Sequence, residues 1–249
     1  MKNLKKNILL TAVVAASPLA AIAAEVSGNI SMTSDYRFRG ISQTDTQLAV
    51  QGGFDFAFDN GIYVGTWGSN VDFANSLELD YYVGYAGDLS ETVSFDVGYI
   101  YYDYPGTDDT VRTLSGDAED DYAEIYASVS VSDFTFGVAY SDDYYLETGE
   151  FYYIYGDYSF ALPHDVSLDL HYGYNDFEFS STDSNAKDAE QAFLSDGEDS
   201  YSDYSIGVSK EFAGVGVSLT WVDTDLDKSE CFGTNWCDST VVFAISKDL

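Results

Sequence analysis

Beyond residue 25 the chain repeatedly alternates a greasy side chain with a small or polar one, and that period of two confines it to strands with one apolar face. In Val93-Ser94-Phe95-Asp96-Val97-Gly98-Tyr99-Ile100-Tyr101 the odd positions are apolar or aromatic and the even ones mostly small or acidic. The same pattern recurs at 134–140, 166–174 and 215–221. It predicts twelve strands, at 26–39, 46–58, 62–71, 77–88, 93–104, 121–131, 134–145, 151–160, 166–179, 201–212, 215–226 and 240–249. Each has the ~9–11 residues that a tilted strand needs to cross a bilayer, or slightly more.

The connections select among all-β folds. Every even-numbered link is short: Asp59-Asn60-Gly61, Leu89-Ser90-Glu91-Thr92, Ser132-Asp133, Ala161 to Asp165, and Ala213-Gly214. The odd-numbered ones are longer or more polar, above all 105–120, 180–200 and 227–239, although Leu146 to Glu150 is no longer than the short set. A soluble sandwich has no reason to alternate short turns with long loops. A transmembrane barrel does, with turns in the periplasm and loops outside. The expected fold is therefore all-β: an antiparallel up-and-down transmembrane barrel of about twelve strands, filling residues 25–249 as one domain.

With that topology the aromatics sort by height. Tyr101, Tyr102, Tyr104, Tyr144, Tyr145, Tyr152, Tyr153, Tyr172, Tyr174, Tyr201 and Tyr204 gather at the loop ends; Phe58, Phe134, Phe160 and Phe212 gather at the turn ends. Two girdles at the two interfaces are what such a barrel needs in lipid.

Residues 1–24 read as a signal peptide: basic Met1 to Asn7, an apolar run from Ile8, and Ala20-Ala21-Ile22-Ala23-Ala24, with cleavage expected after Ala23 or Ala24. Loss of the leader's three lysines takes the formal charge from −33 to −36, which excludes nucleic acid as a natural partner. Cys231 and Cys237, in a chain bound for an oxidising compartment, are expected to form one short disulfide rather than an incomplete zinc site. The short ring should matter little for stability.

Catalytic motifs are absent from the sequence: no nucleophile elbow, Walker loop or His-Glu-x-x-His stretch. His164 falls in a turn and His171 sits alone on a polar strand face, so a barrel hydrolase would need a serine beside His171. The chain is read as a non-enzyme without cofactor or metal. Asp223-Thr224-Asp225-Leu226-Asp227 has calcium-loop spacing but carries Lys228 where a turn glycine belongs and Thr234 where a bidentate glutamate belongs, so a solvated rim is expected. Asp108-Asp109 and Asp117-Ala118-Glu119-Asp120-Asp121 are likewise expected to be exposed loops.

The block Ser34-Asp35-Tyr36-Arg37-Phe38-Arg39-Gly40-Ile41-Ser42-Gln43-Thr44 resembles the N-terminal signature of the TorF porin family. The likeness extends through Asp59-Asn60-Gly61 and is echoed at 77–85 and 240–247. It implies a Gram-negative outer-membrane barrel with porin-like activity. The chain departs from such barrels in ending at Leu249 rather than on an aromatic, and in its heavily acidic loops.

Strand parity assigns the lumen. Apolar positions must face lipid, because a charge near the bilayer centre costs about 2–4 kcal/mol. The opposite parity brings Asp55, Glu78, Asp80, Asp96, Glu124, Asp157 and Asp169 inward, with Arg37 and Arg39, beside outward Tyr36 and Phe38, as the luminal bases near the outer mouth. The expectation is a monomeric, cation-preferring diffusion channel for small solutes or ions. Its surroundings would be outer-membrane lipid and lipopolysaccharide, and barrel assembly machinery would insert it. The alternative is a plugged structural or adhesin-type barrel acting through its acidic loops, with carboxylates and arginines salt-bridged inside.

Overall fold

The computed structural model describes residues 24–73, 77–105, 119–179, 194 and 199–249. The expected leader, up to residue 23, lies outside them. So do Asp108, Asp109 and Asp117, and most of the connections at 105–120 and 180–200.

Twelve strands close into one antiparallel barrel. They are β1 (Ala24–Thr33), β4 (Ala49–Phe58), β5 (Ile62–Asn70), β6 (Leu77–Ser90), β7 (Val93–Asp103) and β8 (Tyr122–Val131), then β9 (Phe134–Ser141), β10 (Gly149–Leu162), β11 (Val166–Phe179), β12 (Ser200–Phe212), β13 (Val215–Thr224) and β14 (Thr240–Asp248). The remaining pair, β2 (Arg37–Phe38) and β3 (Ile41–Ser42), forms a separate hairpin. Each barrel strand pairs with its sequence neighbour, and β1 with β14 closes the ring through pairs such as Ile30 with Lys247. Closure leaves no unpaired sheet edge.

The turns follow from residues that accept positive φ. Gly61 (φ 89°) ends the turn after β4, its N–H donating to the Phe58 carbonyl at 2.9 Å. Ala213 (φ 53°) and Gly214 (φ 79°) make the two-residue turn before β13, a geometry whose twist matches the flanking strands.

Alternation sorts the faces as the sequence reading requires. Ile30, Phe54, Val83, Ile125, Phe136, Ile154, Ile206, Leu219 and Val241 point outward and are exposed, an apolar belt around the barrel. Inward positions hold acids, small residues and tyrosines. Several of these tyrosines lie flat across a glycine of the neighbouring strand: Tyr82 over Gly65, Tyr63 over Gly84, Tyr155 over Gly137, where a methyl group would collide with the ring.

Two expectations change. The first strand stops at Thr33 instead of running to residue 39, because the chain then turns into the barrel. The loop-end tyrosines are not one girdle either. Tyr152, Tyr172 and Tyr174 face outward, whereas Tyr102, Tyr104, Tyr153 and Tyr201 are buried inside. Height along a strand does not decide which face a residue occupies; parity does. The inner set packs two aromatic cores within the loop-end half of the barrel, one around Phe151, Tyr153, Phe177 and Tyr201, the other around Tyr102, Tyr104 and Tyr122.

Candidate functional site

Against those cores pack Tyr36, Phe38 and Ile41 of the first loop, the segment from Ser34 to Leu48 that joins β1 to β4. Asp35, buried at 5% exposure, organises it. Its carboxylate accepts from Arg37 Nε at 2.6 Å, Ser42 Oγ at 2.6 Å and Thr44 Oγ1 at 3.2 Å. The β2–β3 hairpin turns through Arg39 (φ 48°) and Gly40 (φ 83°), both left-handed. A side chain on Gly40 would strike Thr224 on the barrel wall, so the tip can approach this closely only with glycine.

At the tip the Arg39 guanidinium makes two parallel bonds to Glu124, 2.8 Å each. It lies over the rings of Phe38, Phe151 and Tyr153 at 4.6, 4.6 and 4.4 Å from their centroids. Burial penalises the Arg39 charge, but Glu124 beside it more than offsets this and raises its pKa. Tyr36 donates to Glu78 at 2.6 Å and packs edge-on against Trp67. Burial, reinforced by the carboxylates of Glu78 and Asp80, raises the Tyr36 pKa and keeps the hydroxyl a donor.

The connection between β13 and β14, the sixth loop at this end of the barrel, anchors the segment from above. The Trp236 carbonyl accepts from Ser42 N at 2.9 Å and Arg37 Nη1 at 2.7 Å, and the Trp236 indole donates to Asp45 at 2.7 Å. That loop is closed by the Cys231–Cys237 disulfide, as expected, and both cysteines are buried.

The acids picked out by parity all occupy inward positions, at different heights. Glu78, Asp80 and Glu124 lie buried at the loop end. Asp80 Oδ1 accepts no hydrogen bond among the described residues. Midway, Asp55 accepts from Tyr82 at 2.5 Å and Asp96 from Tyr63 at 2.7 Å. Near the turn end Asp169 accepts from Ser159, Ser167 and Ser209 at 2.8–2.9 Å. Asp157 stands 2.7 Å from His171 Nδ1, while Asp203 stands 2.9 Å from Nε2. Two carboxylates on the two ring nitrogens fit an imidazolium that donates from each. With both nitrogens so engaged, the ring is not oriented as a base toward a serine.

Arg37 and Arg39 are inside the barrel, but in buried ion pairs at the β2–β3 hairpin rather than on a barrel strand at an open mouth. Tyr36 and Phe38, expected to face outward, are inside too: both faces of a hairpin within a barrel are interior. Sequence reasoning passed over Asp35, Phe151 and Asp203 as site residues and placed Tyr153 in the interfacial girdle. Parity in β10 and β12 points Phe151, Tyr153 and Asp203 inward; only Asp35 depends on the inward turn. Below the hairpin remains a cavity of about 210 Å³, lined in part by Arg37, Arg39, Tyr153, His171 and Asp203.

Of the acidic loop strings, Asp120 is the correction, whereas Asp225 and Asp227 are exposed as expected of a rim. Asp120 is buried at 2% exposure rather than solvated. The carboxylates of the calcium-like string serve the backbone: Asp225 accepts from Ser202 N at 2.7 Å, and Asp227 caps the short turn at Lys228–Glu230.

No curated protein matches the sequence. Among solved structures the barrel is similar to the KdgM porin in complex with disordered oligogalacturonate, at TM-score 0.52 and 7% identity over 90% of this chain and 96% of that one. It is similar to the NanC porin at TM-score 0.50 and 10% identity, covering 89% and 98%. Against Pseudomonas aeruginosa OprD the TM-score is 0.42 and identity 12%, and the chain spans 66% of that longer protein, just under two thirds. At such identities the likeness is one of fold. Residues 15–249 match the family described as bacterial protein of unknown function (Gcw_chp), and the chain belongs to that family.

Proposed function

We propose that this protein is an outer-membrane porin, a passive channel for small solutes or ions that prefers cations and is constricted by its own first loop. One observation carries the reading: a closed barrel with an apolar outer belt and an inner face of carboxylates, hydroxyls and glycines. The resemblance of residues 34–44 to the TorF porin family supports it. So do the porin barrels with which the fold is shared.

Cation preference follows from the charge balance. Asp35 and Glu124 neutralise Arg37 and Arg39. Asp55, Glu78, Asp80, Asp96 and Asp169 have no basic partner among the described ion pairs, and Asp157 and Asp203 share a single imidazolium. Fixed carboxylates in a narrow pore concentrate cations and repel anions. A polyanion such as oligogalacturonate, seen with the KdgM porin, would be disfavoured here. Single-channel recording in a planar bilayer under a salt gradient tests this. The wild-type reversal potential should have the sign of a cation channel, and Asp80→Asn with Asp96→Asn should move it toward zero. Anion selectivity, or no change in the double variant, would sink the preference.

The second reading, a plugged structural or adhesin-type barrel, is favoured by the aromatic cores packed around the hairpin. The same recordings separate the two. A plug that never moves gives no current from the wild type, whereas a constriction gives small, fluctuating steps that grow when residues 35–46 are replaced by a short Gly-Ser linker.

A further inference from the structure

The cage around Arg39 belongs mostly to the barrel rather than to the hairpin. Glu124 comes from β8, and Phe151 and Tyr153 from β10; of the groups touching the guanidinium named above, only Phe38 travels with the hairpin. The wall residues are fixed by strand pairing, Glu124 opposite Ile100, Phe151 opposite Ser141 and Tyr153 opposite Ala139, none of which involves the hairpin. Their half of the cage therefore persists if the tip withdraws. Its chemistry is specific. A planar fork matched to two carboxylate oxygens, with its faces against aromatic rings, is a guanidinium; an ammonium offers only a point charge. Glu124 at 2% exposure and Phe151 at 0% exclude water, which strengthens both interactions. The cavity of about 210 Å³ beside Arg39 and Tyr153 gives a solute room to approach.

We propose that Glu124, Phe151 and Tyr153 form a binding site for a guanidinium-bearing solute, filled in cis by Arg39 when no solute is present. Solute and hairpin tip then compete for one cage. Arg39 is held in a left-handed conformation that favours glycine, so the tip is a strained occupant. Displacing it frees the constriction. That consequence for permeation rests on the channel reading, whereas the binding itself does not.

The test uses residues 25–249, refolded in detergent and checked for folding by heat-modifiable migration. Ethylguanidinium is titrated calorimetrically, with ethylammonium as control. Arg39→Ala empties the cage and should bind ethylguanidinium about tenfold or more tighter than wild type, and about tenfold or more tighter than it binds ethylammonium. Adding Glu124→Gln should remove the gain. If Arg39→Ala does not refold, Arg39→Gln, which removes the charge but keeps a polar chain, carries the same comparison. Equal ethylguanidinium binding by wild type and the Arg39 variant, or binding that survives Glu124→Gln, overturns the site. The bilayer then separates the two proposals. A barrel that binds ethylguanidinium as described but passes no current, even with the hairpin replaced, overturns the channel reading alone. A conducting barrel whose Arg39 variant gains no binding overturns the site alone.

Discussion

Asp35 is the residue that most determines the interior, since its carboxylate joins Arg37, Ser42 and Thr44 into one knot. Replacing it by alanine leaves the Arg37 guanidinium, whose side chain is 5% exposed, buried without its counter-charge. Breaking one side of such a pair costs about 3–5 kcal/mol. That cost falls on the docked hairpin and not on the barrel, whose strands pair without it. Asp35→Ala should therefore keep the heat-modifiable migration of a folded barrel while trypsin gains access to the bonds after Arg37 and Arg39. Asp35→Asn, which retains acceptor oxygen for Ser42 and Thr44, should be cleaved more slowly. Equal protection of wild type and Asp35→Ala would show that Asp35 does not hold the segment. At this scale the sequence was legible wherever parity alone decides: Asp55, Asp80 and Asp169 face inward because their neighbours face out. It was not legible where a residue's role depends on a partner far along the chain, as Arg39 depends on Glu124 and Phe151.

Among the elements, the strands could be read because two independent signals agreed. Period-two alternation marked their interiors, and Asp59-Asn60-Gly61 or Ala213-Gly214 marked their ends. The hairpin escaped because Tyr36-Arg37-Phe38-Arg39 alternates apolar and charged residues as a lipid-facing strand would. Alternation reports two unlike environments, and a hairpin inside a barrel finds them without lipid: aromatic walls for Tyr36 and Phe38, carboxylates for Arg37 and Arg39. The clue was the Arg39-Gly40 pair, a turn signal at the very end of the expected strand 26–39. The sixth loop is the hairpin's outer partner. Its disulfide closes a ring between cysteines six residues apart, for which chain entropy allows about 2 kcal/mol. Replacing Cys231 and Cys237 by serine should barely change barrel unfolding in detergent. It should loosen the Trp236 carbonyl from Ser42 and Arg37, so that trypsin cuts at Arg37 in the double variant and not in the oxidised wild type. A double variant as resistant as wild type would separate the disulfide from the hairpin.

For the whole molecule, the two ends of the barrel differ in a way that predicts its orientation in a membrane. One end carries two- and three-residue turns with Gly61, Ala213 and Gly214 at their bends. The other carries every long connection, the aromatic cores and the inward hairpin. Outer-membrane barrels keep their short turns in the periplasm and their longer loops outside. The loop end should therefore face the medium. An epitope tag within 105–120, or beside Ser195, should be labelled by antibody on intact cells. A tag beside Pro163, or at Asn60 in the first turn, should be labelled only after the outer membrane is opened. Labelling of Pro163 on intact cells with Ser195 silent would invert the barrel. The hairpin would then close the periplasmic mouth, and the acids of Glu78 and Asp80 would meet a solute last rather than first. If the proposed channel has the expected orientation, a cation from outside would pass the Glu78–Asp80 level at the constriction, then Asp55 and Asp96, then Asp169 at the turn end. Ionic strength should then weaken selectivity in steps rather than abolish it, because the buried loop-end carboxylates are screened less than the half-exposed Asp169. Reversal potentials measured from about 0.05 to 1 M salt would show it. A preference lost entirely by 0.1–0.2 M would assign selectivity to exposed acids alone.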